Sequence, residues 1–175
     1  MTASSIIVQQ AQDEQVLRLE KLAAAMQGEK AIDYFPRCLQ EQAAGNRVLF
    51  LATLDGQDAG YGMLNWQPQY SLYRRLGIPE IQDLNVIPDM RCKGVASAII
   101  AQCEQTARDR GAEHIGISFG LHGGYGAAQR LYIRLGYMPD GNGVTYDRRP
   151  VAAGQMWPVD DDLCLMLVKD ITKTS

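Results

Sequence analysis

Residues 81–111 constrain the fold most: an apolar β-like run, a short turn and an amphipathic helix follow one another without interruption. The run at 81–87 is stopped by Pro88-Asp89, and Ala96, Ile99, Ile100, Cys103 and Ala107 then recur at helical spacing until Gly111. A helix that opens directly after a strand aims its unpaired N–H groups and partial positive charge at the turn, where they bind an anion. Gly94 lets a backbone approach that anion with no Cβ in the way, Ala96 is nearly as small, and Arg91 and Lys93 add full charges. Taken alone, the segment is equally an ordinary strand–turn–helix with surface charges. It contains no GxxxxGK[ST], and the later cluster Gly120, Gly123, Gly124, Gly126 does not satisfy GxGxxG, so neither a P-loop nor a dinucleotide fingerprint is present.

The rest of the chain supplies a sheet for that unit. Residues 6–10 form a short β-like run, and Asp13 is the expected cap of a helix whose apolar stripe includes Val16, Leu17, Leu19 and Leu22. A weaker helical pattern covers 31–44 and stops at Gly45-Asn46. Strands at 48–54 and 59–66 flank Asp55-Gly56, a tight-hairpin signal. Residues 67–79, with two prolines, are expected to be an irregular surface loop. A strand at 114–119, a glycine-rich loop at 120–126, a helix marked by Ala128, Leu131, Tyr132 and Leu135, and strands near 137–139, 144–146 and 163–168 complete the order. Hairpin-linked strands followed by two crossover helices predict an α/β domain of the α+β mixed-sheet kind, a central sheet flanked by helices. With 175 residues a single domain over 1–175 is expected, with a short flexible tail at 170–175.

A net charge of −3 leaves no basic excess for nucleic acid. No window approaches the roughly 20 apolar residues of a membrane helix. Cys38, Cys92, Cys103 and Cys164 have neither disulfide-framework nor metal-ligand spacing, and His114 and His122 have no metal-spaced partner. A reducing, cytoplasmic location without a metal is the expectation.

Val86-x-Pro88-x-x-Arg91-x-x-Gly94-x-Ala96 resembles motif A of the GNAT superfamily of N-acetyltransferases. Ala128-x-x-Leu131-Tyr132-x-x-Leu135-Gly136-Tyr137 resembles its motif B, in the expected order and with a helix and a strand between. The resemblance implies a GNAT-like sheet and acetyl-CoA as co-substrate. It places the pyrophosphate on the backbone of Arg91, Cys92, Lys93, Gly94, Val95, Ala96 and Ser97, and the pantetheine, like an added strand, along Leu84, Asn85 and Val86. The family often has Asn three residues before the motif-B Ala; here Tyr125 stands at that pantetheine contact.

Acetyl transfer to an amine needs a group to take the amine's proton, donors for the developing oxyanion and a proton for the leaving thiolate. The resemblance puts Tyr132 beside the thioester sulfur as the acid; otherwise it is a core tyrosine on the face of Ala128 and Leu131. For the base, Glu80 and Asp83 flank the strand, and in a regular strand they point to opposite faces. Glu80, eleven positions before Arg91, matches the catalytic glutamate of the histone-acetylating branch and is preferred, with Asp83 second. Cys92 is expected to contribute only backbone, with direct attack by the amine in a ternary complex. Trp66, Tyr70, Tyr73 and Tyr125 are candidates for an aromatic wall suited to a small amine acceptor rather than a peptide. A homodimer is compatible with these readings. The rival is a catalytically silent acyl-CoA-binding module.

Overall fold

A computed structural model describes residues 4–26 and 30–172. The elements are β1 (Ile6–Gln10), α1 (Val16–Ala25), α2 (Tyr34–Ala43), β2 (Arg47–Leu54), β3 (Gln57–Asn65), α3 (Ser71–Leu76), β4 (Glu80–Val86), α4 (Val95–Asp109), β5 (His114–Gly120), α5 (Gly126–Arg134), β6 (Met138–Tyr146), β7 (Arg149–Pro150) and β8 (Leu163–Asp170). The strands form an eight-stranded mixed sheet in the order β1-β2-β3-β4-β5-β8-β6-β7, flanked by helices. Two compact units make up the chain, one of Met1–Trp66 with Ile81–Thr106 and one of Gln67–Glu80 with Ala107–Ser175.

In the first unit β1, β2 and β3 run antiparallel, with Ile6 opposite Leu54 and Arg47 opposite Asn65. Asp55 (φ 51°) and Gly56 (φ 82°) make the hairpin turn that the Asp-Gly signal predicts. Alternation along β3 sorts its side chains by face. Tyr61 and Met63 join Leu49 and Leu51 of β2 in a core closed by Leu19 and Leu22 of α1 and Phe35 and Leu39 of α2. Gly60 and Gly62 occupy the alternate positions, where a Cβ at Gly62 would come within 2.9 Å of Ile99 in α4. Val95, Ile99, Cys103 and Ala107 form the buried stripe of α4. The expected cap at Asp13 is replaced: Gln12 and Gln15 bond each other's backbone across a 3₁₀ turn at Asp13–Gln15, and α1 starts after it.

The second unit has β5 antiparallel to β8, β8 to β6, and β6 to the short β7. The segment 67–79 is not an irregular surface loop. Its centre is α3, which ends at Gly77 (φ 66°), and Tyr70, Tyr73 and Ile78 pack with Met166 as a small core. Six helical residues between two prolines span less than two turns, too few for a periodic signal to show. The aromatic wall loses two members for the same reason. Tyr70 donates to Asp140 Oδ2 at 2.7 Å and Tyr73 donates to the Leu167 carbonyl, and both rings are buried. At the far end Asp170 closes β8 and Ile171 is buried, while residues 173–175 of the expected tail lie outside the described residues.

Candidate active site

The turn after β4 has the form an anion cradle requires. Ile87 N–H donates to the Ala59 carbonyl at 2.9 Å, holding the end of the strand against β3. A 3₁₀ turn at Pro88–Met90 follows, then Cys92 (φ 59°) and Gly94 (φ 90°) turn the backbone into α4. The Gly94 carbonyl accepts the Ala98 N–H at 2.9 Å, so the N–H groups of Val95, Ala96 and Ser97 precede the first helical donor. Arg91 is tied back by its Nε to the Val86 carbonyl at 3.0 Å, and Arg91, Cys92, Lys93 and Gly94 are all exposed. A Cβ at Gly94 would be strained at that φ and would meet Ile6 Cδ1 at 3.3 Å. Orphan donors, a Cβ-free left-handed turn and two exposed cations suit a pyrophosphate.

Upstream on the strand, Asp83 breaks the regular pleat with φ 48°, so the strict alternation expected between Glu80 and Asp83 does not hold. Its carboxylate collects donors from three places. Lys30 Nζ lies 2.8 Å from Oδ1, Asn85 Nδ2 2.7 Å from the same oxygen, and the Tyr34 hydroxyl donates to Oδ2 at 2.6 Å. Burial and the adjacent Asp83 charge push the Tyr34 phenol far above its ordinary pKa, so it stays a donor. Neither Lys30 nor Tyr34 is signalled by the sequence, because each meets Asp83 only through the tertiary fold.

Glu80, the first residue of β4, belongs to the second unit and is fully buried, with Arg148 Nη2 at 3.5 Å from its Oε1. Arg148 is carried by the β6–β7 turn, where Asp147 and Arg148 both have positive φ. Tyr132 is buried to 6 % exposure, its ring stacked 6.4 Å from Phe119 and tilted against Tyr137. No group among the described residues hydrogen-bonds its hydroxyl. Burial, with a smaller contribution from Tyr125, pushes the phenol up to about 12.

The glycine-rich loop is a 3₁₀ turn at Gly123–Tyr125 capped by His122, whose Nδ1 accepts the Gly124 N–H at 3.1 Å. The ring proton is therefore on Nε2, which faces Asp161 Oδ1 at 2.8 Å and holds that carboxyl below its ordinary pKa. The Tyr125 phenol is pushed up to about 12, by burial first and then by the nearby Asp161, and its ring fills the space above Gly120, where a Cβ would lie 2.5 Å from Cε2. Asp161, in the run Asp160-Asp161-Asp162, thus anchors a loop through His122, and His114 is exposed at the start of β5. Cys38, Cys103 and Cys164 are buried free thiols and Cys92 an exposed one. Among the described residues no His, Cys, Asp and Glu cluster could hold a metal, and no helix is long and apolar enough to cross a membrane.

A mixed sheet flanked by helices, with a strand–left-handed turn–helix unit at β4 and α4, defines an α/β protein whose turn has room and donors for an anionic group. Residues 16–137 match the model of the acetyltransferase (GNAT) family, and the chain belongs to that family. An aminoalkylphosphonate N-acetyltransferase of Salmonella typhimurium is 37% identical over 76 residues, 43% of this chain and 48% of that protein. The match thus spans about half the length of that curated relative. An N-acetyltransferase from Staphylococcus aureus Mu50 shares the fold at TM-score 0.71, with 15% identity over 96% of this chain and 99% of that one. So does yncA of Salmonella typhimurium, solved with its cofactor acetyl-CoA, at TM-score 0.66 and 14% identity over 97% and 96% of the two chains.

Proposed function

We propose that the chain is an acetyl-CoA-dependent N-acetyltransferase that acts on a small primary amine, with residues 1–175 serving as one acyltransferase domain. The observation that carries the reading is the cradle at Gly94, whose left-handed, Cβ-free turn feeds the orphan N–H groups of Val95, Ala96 and Ser97. Those groups, with Arg91, Cys92 and Lys93, would hold the pyrophosphate, and the backbone of Leu84, Asn85 and Val86 the pantetheine. When bound, acetyl-CoA supplies the acyl group as a thioester.

Two kinds of group on the chain suit such a transfer, a protonated phenol and a partly covered carboxylate. Tyr132 keeps its proton up to about pH 12 and has no internal acceptor for it, which suits an acid serving a thiolate leaving group. For the amine's proton Asp83 is favoured over Glu80, since Glu80 is wholly buried beside Arg148 whereas Asp83 is only partly covered. The Tyr125 ring already packs over Gly120, so a pantetheine contact from it would be additional to that role. The curated relative's printed substrate class supports a small acceptor, and aminoalkylphosphonates are the first amines to test. The free thiols support a reducing, cytoplasmic setting.

Thermal shift against acetyl-CoA, CoA, ATP and NAD tests the cradle: a ligand at 100 times its Kd stabilises by about 2.7 kcal/mol. Stabilisation by the two CoA species alone is expected. In an amine-panel assay, Tyr132→Phe should lower kcat by about 10²-fold or more and leave acetyl-CoA affinity nearly unchanged. Unaltered turnover would remove Tyr132 from the acid role, and CoA binding with no transfer to any amine would leave a silent binding module.

A further inference from the structure

The Asp83 cluster is a finished recognition site for a primary ammonium, and its occupant is one. The Lys30 nitrogen lies 2.8 Å from Asp83 Oδ1 and 4.7 Å from the centroid of the Tyr34 ring, so it has a carboxylate on one side and a π-face on the other. The site is also braced without it. Tyr34 fixes Oδ2, Asn85 fixes Oδ1, and Asn85 Nδ2 bonds the Asp83 carbonyl at 3.0 Å as well. Lys30 is not needed to tether α2 to β4, because the Tyr34 hydroxyl does that. Nor is Lys30 held elsewhere: it precedes the helix, keeps 28% side-chain exposure, and has no other hydrogen-bond partner among the described residues.

We propose that Asp83 and the Tyr34 ring form the subsite for the acceptor's ammonium, and that Lys30 is an in-chain stand-in which the acceptor displaces. The inference rests on the N-acetyltransferase reading and deepens it, since Asp83 immediately precedes the Leu84–Asn85–Val86 backbone assigned there to pantetheine. The acceptor it selects is a primary ammonium on a slender alkyl stem, the shape of a lysine tip. A partly exposed ion pair is worth at most about fivefold in an equilibrium, so Lys30 competes without blocking.

Lys30→Met keeps the stem and removes the competitor. With Lys30 seated in the subsite for most of the time, its removal should lower the apparent KM for the amine about two- to sixfold, with acetyl-CoA affinity unchanged. Lys30→Arg should leave KM near the wild-type value, and Asp83→Asn should raise it about tenfold or more. A KM that rises or stays constant in Lys30→Met overturns the proposal. So does an Asp83→Asn enzyme that loses kcat with no rise in KM, which would make Asp83 a proton acceptor alone. If the wild-type protein acetylates no amine, the broader reading fails, and methylammonium titration of Lys30→Met, followed by NMR of the Asn85 side-chain amide, still decides the subsite. Binding there that is lost in Lys30→Met/Asp83→Asn supports it, and its absence in Lys30→Met refutes it.

Discussion

Gly116 has no room for even a methyl group: an ideal Cβ would lie 2.3 Å from Cε2 of Tyr73. The ring cannot retreat freely, because its hydroxyl is bonded to the Leu167 carbonyl in the interior of the second unit. Gly116→Ala should therefore cost about 1–3 kcal/mol, as overpacking typically does. That corresponds to a fall in Tm of about 2–4 °C per kcal/mol for a chain of this size. Gly123→Ala is the matched control, since nothing lies within 4 Å of its ideal Cβ and its φ is not left-handed, and it should stay within about 0.5 kcal/mol of wild type. Denaturant titration of both variants checks the pair, and equal stabilities would mean that Tyr73 repacks without cost. Residues of this kind are invisible in a sequence. Gly116 stands in an apolar run like any strand glycine, and Tyr73, the residue that excludes its side chain, is far away in the chain. The same is true of Lys30 and Tyr34 at Asp83. Gly94 could be singled out because its place at a helix start is local, although its φ of 90° was not foreseen.

At the scale of elements, α4 and its turn could be read because periodicity and backbone chemistry both act within one segment. The α3 helix could not, being held by Tyr70, Tyr73 and Ile78 packing on β8 rather than by any pattern of its own. The strand β4 was foreseen as an element but not in its irregularity: Asp tolerates positive φ better than most residues, yet adopts it too seldom inside a strand to mark Asp83 for φ 48°. The cradle gives the element-scale prediction. Gly94→Ala forces a side chain onto φ 90° beside Ile6, strain of about 1–2 kcal/mol per residue in this region. Relieving it by shifting the turn misplaces the N–H groups of Val95, Ala96 and Ser97. Acetyl-CoA affinity should then fall about tenfold, the equivalent of 1.4 kcal/mol. Calorimetric titration measures it directly. An unchanged Kd with a lowered Tm would show that the turn is needed for stability and not for the ligand.

For the molecule as a whole, the mixed sheet and most of its helices and strands followed from hairpin signals and two crossover helices, whereas α3, the short β7 and the polar and aromatic interiors of its units did not. Those interiors set its response to alkali. Tyr34 and Tyr61 in the first unit, and Tyr70 and Tyr73 in the second, are held well above the ordinary phenol pKa chiefly by burial, and Tyr125 and Tyr132 are pushed up to about 12. Below the ordinary value near 10, each is protonated in both folded and unfolded chains, and its contribution is fully present. Above it the unfolded chain binds fewer protons than the folded one, so unfolding free energy falls with pH, by up to about 1.4 kcal/mol per pH unit for each such group. The loss continues until the folded pKa is passed. The buried thiols of Cys38, Cys103 and Cys164, raised in the same way, begin the decline near their own ordinary value of 9. Stability from urea titration should thus drop steeply between about pH 9 and about pH 11. Tyr61 isolates the tyrosine share, because its hydroxyl makes no hydrogen bond among the described residues and a phenylalanine keeps its packing in the first core. Tyr61→Phe should match wild type at neutral pH and lose less stability across the alkaline range. An identical slope in the two proteins, or a wild-type stability that holds level past pH 11, would mean that these phenols ionise in the folded state as readily as in the unfolded chain.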